Sequence, residues 1–144
     1  MSYRINIGNI YEIPLPNGTN AYGRLYKEFT LAIYNTRAQN YDDIPNTEDY
    51  QCFVGVYKDL LTDGEWKIVG KRAFENEEDA WPPPQCVVSA NGKGSLYHKG
   101  IISDCTYDEC KDLEIVAAWD RHHIIDRLMG NSKWENTIRK PQPF

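Results

Sequence analysis

No stretch of this chain approaches the roughly 20 consecutive apolar residues that a membrane-crossing helix needs, so no membrane partner is expected. The opening Met1-Ser2-Tyr3-Arg4-Ile5 lacks the apolar segment of a secretory signal, and the expected compartment is the cytoplasm. No C-x-x-C pair joins Cys52, Cys86, Cys105 and Cys110. That removes the usual zinc and redox signatures, and an even thiol count without a signal is poor ground for disulfides. Cys52 and Cys86 stand beside apolar residues and read as small core side chains. There is no G-x-S-x-G elbow and no cysteine-protease signature, and Gly92-Lys93-Gly94-Ser95 lacks the spacing of a phosphate-binding loop. Basic charge is also short, with Lys and Arg at 16 against Asp and Glu at 21 for a net charge of -5. This balance disfavours a phosphate-tracking surface, so nucleic acid is not an expected partner and a basic protein is the better match.

What the chain has is length for one domain, residues 1–144, and turn-punctuated β signals. The first strand is expected over 9–15, and the second and third over 21–34 with a bend at Lys27-Glu28. Proline cannot donate to a ladder, so Pro14 and Pro16 belong at an edge, a bulge or a strand end, and Asn17-Gly18 supplies the turn. Gly23 inside the next strand points to a bulge or a close backbone approach, and Arg24 beside it reads as a structural anchor or a contact group. A long polar connection follows over 35–51, with a helical turn expected at 47–50. Strands are expected at 52–57, 66–71, 86–89 and 95–102. Thr106 and Glu109 have capping-box spacing for a short helix to Leu113, and a short strand is expected over 114–118. Asp120 is the N-cap of a helix over 121–129 closed by Gly130, its apolar stripe made of Ile124, Ile125 and Leu128. The segment 131–144 reads as a loose tail.

Candidate chemistry is thin. His122 and His123 with Asp120 and Asp126 form the one cluster suited to metal or acid-base work. Adjacent helical residues point about 100° apart, and His98 lies in a separate strand, so no metal or cofactor is expected. The acidic groups Asp42-Asp43, Glu48-Asp49 and Glu75, Glu77, Glu78 and Asp79 run up to Trp81-Pro82-Pro83-Pro84. Aromatics beside acids make a binding surface with apolar anchors and a charged rim, or else fill a β-rich core; Trp81 fits both roles and Trp119 reads as core.

The ordered set Ile13-Pro14-Leu15-Pro16-Asn17-Gly18, Ala21-Tyr22-Gly23-Arg24, Val54-Gly55-Val56-Tyr57, Trp81-Pro82-Pro83-Pro84 and Ala117-Ala118-Trp119-Asp120 with Asp126-Arg127-Leu128 resembles the immunity protein 26 family. The resemblance runs from about Ile7 to Gly130 and makes Pro14, Pro16, Gly18, Gly23, Arg24, Pro82, Pro83, Trp119 and Asp120 scaffold residues. It implies a non-catalytic partner of a toxin domain, encoded in a bacterial polymorphic toxin system.

The expected fold is α+β, a strongly curved and mostly antiparallel sheet or a small SH3-like barrel with the C-terminal helix packed on it. The expected function is capture of a basic cognate toxin domain by Asp42, Asp43, Glu48, Asp49, Glu75, Glu77, Glu78, Asp79 and Trp81, with Arg24 braced by an internal carboxylate, Asp120 or Asp126. One rival is a small metal-dependent, phosphotriesterase-like hydrolase around His98, His122 and His123. Another is a module that senses a small ligand in an apolar cavity. Oligomeric state is left open.

Overall fold

The computed structural model describes residues 5–35, 41–44, 48–131, 133 and 137–144. Strands β1 (Asn9–Pro14), β2 (Asn20–Tyr26) and β3 (Thr30–Tyr34) form a meander, with Ile13 opposite Ala21 and Gly23 opposite both Tyr11 and Ile33. Pro14 ends β1 facing solvent, where its missing N–H costs nothing. Gly18 takes φ +85° in the turn, and the Asn17 side chain accepts from Thr19 N and Oγ1. β4 (Tyr50–Val56) extends the sheet beside β3, and the helical turn expected at 47–50 falls partly outside the described residues, with strand from Tyr50 onward.

A short helix α1 (Lys58–Thr62) follows, then β5 (Lys67–Lys71), which returns to pair with β1. β6 (Gln85–Val88), β7 (Gly94–His98) and β8 (Ile101–Ser103) make a second, three-stranded sheet. The single strand expected over 95–102 is broken by Lys99 and Gly100, both at positive φ. Helix α2 (Tyr107–Cys110) carries the complete Thr106/Glu109 capping box. β9 (Ala118–Trp119) then pairs parallel to β4, and α3 (Arg121–Leu128) closes the series.

The main sheet therefore runs β5-β1-β2-β3-β4-β9, mixed but mostly antiparallel, in an α+β fold. No barrel closes, because β5 and β9 are separate edges of this sheet. Alternation along β1 to β4 serves both faces. Tyr11, Ile13, Leu25, Leu31, Ile33 and Val54 pack under Leu60, Leu61, Trp66, Trp119, Ile124 and Leu128. Ile10, Tyr22 and Tyr34 pack on the opposite face against Ile44, with Tyr41, Tyr50 and Val69 beside them. This two-sided cover explains why β2 is buried from Ala21 through Tyr26.

Gly23 pairs regularly. A Cβ there would lie 3.2 Å from Ile33 Cδ1, so the glycine makes room for β3 side chains; the register shifts fall at Ile10/Tyr11 and Ile33/Tyr34 instead. Close backbone approach occurs at Gly55, where a Cβ would stand 2.6 Å from the Ala117 carbonyl oxygen. At the end of the chain Pro141 is buried, Gln142 N donates to Gly92 O at 2.8 Å, and Arg139 Nη1 donates to the carbonyls of Ser89 and Ala90. Among the described residues no helix is long and apolar enough to cross a membrane.

Candidate partner-binding site

Arg24 points to the aromatic face of the sheet and is 7% exposed. Its Nε donates to Arg72 O at 2.8 Å, Nη2 to Ala73 O at 3.1 Å and Nη1 to the Tyr50 hydroxyl at 3.1 Å. The guanidinium carbon lies 3.7 Å from the centre of the Phe74 ring. Its carboxylate is Glu48, 3.6 Å from Nη1, and not Asp120 or Asp126 as expected; Asp120 instead caps α3 by accepting from His123 N at 3.0 Å. Glu48 also meets Arg72 at 3.4 Å and accepts from the hydroxyls of Tyr34 and Tyr50, each at 2.7 Å. Burial alone would raise the Glu48 carboxyl, yet the two tyrosine hydroxyls and the two guanidinium groups outweigh it and hold the group below its ordinary value. Burial first, then the Glu48 contact, pushes Tyr34 upward. Burial first, then Glu12, pushes Tyr22 up to about 12.

The expected acidic residues do not form one surface. Glu48, itself a partly exposed side chain, is the counterion of the buried Arg24. Glu75 and Asp79 stand with Glu48 around a cleft of about 330 Å³ walled by Arg24, Tyr26 and Phe74. Asp42 and Asp43 lie exposed on a 3-10 turn, Tyr41–Asp43, and Asp49 accepts from Asn35, all outside that cleft. Glu77 and Glu78 belong to a second 3-10 turn, Glu77–Ala80, where Glu77 pairs with Lys27 at 2.9 Å and Glu78 with Lys99. Trp81 is half-buried beneath the Lys27 ammonium, 4.4 Å from its ring centre, and Trp119 is core as expected.

The histidines do not converge. His98 lies in β7, His122 is exposed on α3, and His123 Nδ1 sits 3.4 Å from Asp120 Oδ1. Among the described residues no three His, Cys, Asp or Glu side chains group so as to hold a metal ion. A surface cleft of about 450 Å³ mixes Trp119, Ile115 and Ile138 with Gln51, Asp112 and the Glu114–Arg127 pair, which bonds twice at 2.8 and 2.9 Å. It lacks the dominant apolar lining of a small-ligand cavity.

One cluster had no signal in the sequence. A Cβ on Gly94 would stand 2.5 Å from Cys110 Sγ and 3.0 Å from Cys86 Sγ, and Cys105 Sγ contacts the Gly94 carbonyl at 3.6 Å. Burial pushes all three thiols upward, so they stay protonated at neutral pH and are weak nucleophiles.

Open mixed sheet and small second sheet make an α+β domain that carries a carboxylate-edged cleft over a buried arginine. Residues 6–95 match the family model described as Immunity protein 26, well over half of the chain, and the chain belongs to that family of immunity proteins. The match spans β1 to the start of β7, including Arg24, Glu48 and Glu75 to Trp81, and stops short of Trp119 and Asp120. No curated protein and no solved structure matches the chain.

Proposed function

We propose that this protein binds a cognate bacterial toxin domain in the cytoplasm and neutralises it by occlusion, with no chemistry of its own. Family membership supplies the role, and the observation that carries the mode is the acidic border of Glu75, Glu77, Glu78 and Asp79 along one side of the domain. A net charge of -5 favours a basic partner, and exposed carboxylates raise the encounter rate more than they deepen the complex. Asp42, Asp43 and Asp49 extend the same field, while Glu48 acts from beneath by fixing the aromatic face. The metal-hydrolase reading loses support because its histidines are dispersed.

The test is co-expression with the toxin domain encoded by the neighbouring reading frame. Growth should be rescued, and reversing the charge of Asp42, Asp43, Glu75, Glu77, Glu78 and Asp79 together should slow association and flatten its salt dependence. Failure of the unaltered protein to bind or rescue would overturn the proposal.

A further inference from the structure

We infer that the toxin docks on the β2–β3 turn, where Phe29 stands as an apolar ridge between two grooves, and that it presents there an apolar side chain ringed by lysine or arginine. The inference rests on the toxin-binding role proposed above and names its anchor. Trp81, the aromatic expected to serve, already lies under Lys27. Phe29 is 44% exposed and holds φ +50°, next to Glu28 at φ +63°. Bulky L-residues rarely adopt this conformation, and asparagine or glycine would occupy it with less strain. Nearly half of Phe29 is nonetheless left to water at this strained position.

Two grooves meet at that ring. One, about 340 Å³, is lined by Ile5, Ile7 and Leu25; the other, about 260 Å³, by Val56, Tyr97, Val116 and Ala118, with Phe29 in both. Ile102 sits opposite Tyr97, a lining residue of the second groove, in the β7–β8 register, and β8 is exposed along its whole length at the edge of its sheet. Glu28 lines both grooves, and an adjoining cleft that shares Ile7 and Lys27 with the first adds Glu75, Glu77 and Lys71; Glu77 pairs with Lys27 and Glu78 with Lys99, which leaves Glu28, Glu75 and Asp79, a neighbour of Glu75, against Lys71. An apolar centre with a carboxylate-rich rim selects a basic partner. A second copy is disfavoured, because a two-fold contact would set this rim against itself.

The variant Phe29→Asn separates anchor from scaffold, since asparagine tolerates positive φ. Its melting temperature should not fall, while affinity for the toxin domain of the neighbouring reading frame should drop about 30-fold or more, mostly through faster dissociation. Ile102→Lys should weaken binding about 10-fold, and Met129→Ser, exposed but outside both grooves, should leave it unchanged. If the unaltered protein binds and Phe29→Asn and Ile102→Lys bind equally well, this inference is wrong and the toxin-binding role stands. Should the unaltered protein not bind, both fall. A dimer seen by light scattering that Phe29→Asn dissociates, with toxin affinity intact, would assign the face to self-association and overturn the inference.

Discussion

Arg24 donates from Nη1 to the Tyr50 hydroxyl at 3.1 Å, tying β2 to the start of β4 across the intervening strand β3. Tyr50 hands its own hydrogen to Glu48, which also takes one from Tyr34, so one carboxylate serves three strands. The same guanidinium satisfies the carbonyls of Arg72 and Ala73 just after β5. Buried polar groups of this kind are costly when left unpaired, and here each partner depends on the next.

Arg24→Leu should therefore lower stability by about 3 kcal/mol, since it strands two carbonyls and an arginine-paired carboxylate. Arg24→Lys should recover little, because an ammonium cannot reach both carbonyls with a fixed planar fork. Urea unfolding midpoints give the comparison, and equal midpoints for all three proteins would show the network to be idle.

Acid should weaken the same network. The Glu48 carboxyl is held below its ordinary value of 4.5, so its contribution is complete above that pH and is lost as pH falls through the lower folded-state value. Tyr34 and Tyr50 are pushed above their ordinary 10.0, chiefly by burial, so stability should also decline as pH rises past that point. Unfolding midpoints followed from pH 3 to 11 should show both limbs, with the acid limb flattened in Glu48→Gln.

Gly55→Ala should cost about 2 kcal/mol and loosen β9, because its new methyl would stand 2.6 Å from a backbone oxygen that cannot rotate away. The neighbouring Trp119, buried at the end of β9, reports the change through its fluorescence. A red-shifted emission with a lower melting temperature is the expected pair.

Thiol chemistry should be slow. Cys86 and Cys110 are fully buried and held protonated, so neither should react with a disulfide reagent at neutral pH until the protein is unfolded. Counting fast-reacting thiols with and without denaturant checks this, and labelling of either residue in the native state would contradict it.

The legible parts of the chain were those where neighbours in sequence decide the outcome. Pro14, Asn17 and Gly18 set the first turn, Thr106 with Glu109 and Asp120 set two helix starts, and the strands β1 to β3 carry β-branched and aromatic residues. Helix α1 was invisible because Tyr57 provides no side-chain cap, and its reason to exist is burial of Leu60 and Leu61 under the distant sheet. The Arg24 counterion was misassigned for the same reason: Glu48 looked like one more acidic loop residue, and only tertiary contact turns it inward. Phe29 carried no signal at all, since neither its conformation nor its exposure is written in its neighbours.

The parallel pairing of β4 with β9 has a consequence for synthesis. Gly55 meets Ala118 only about sixty residues later in the chain, beyond the end of the segment that matches the family. While the protein emerges from the ribosome, the outer border of β4 stays bare, an invitation to wrong strand partners until Trp119 and the following helix arrive. The last third of the molecule thus serves as a seal, and a nascent chain halted before it would be the form most prone to aggregate.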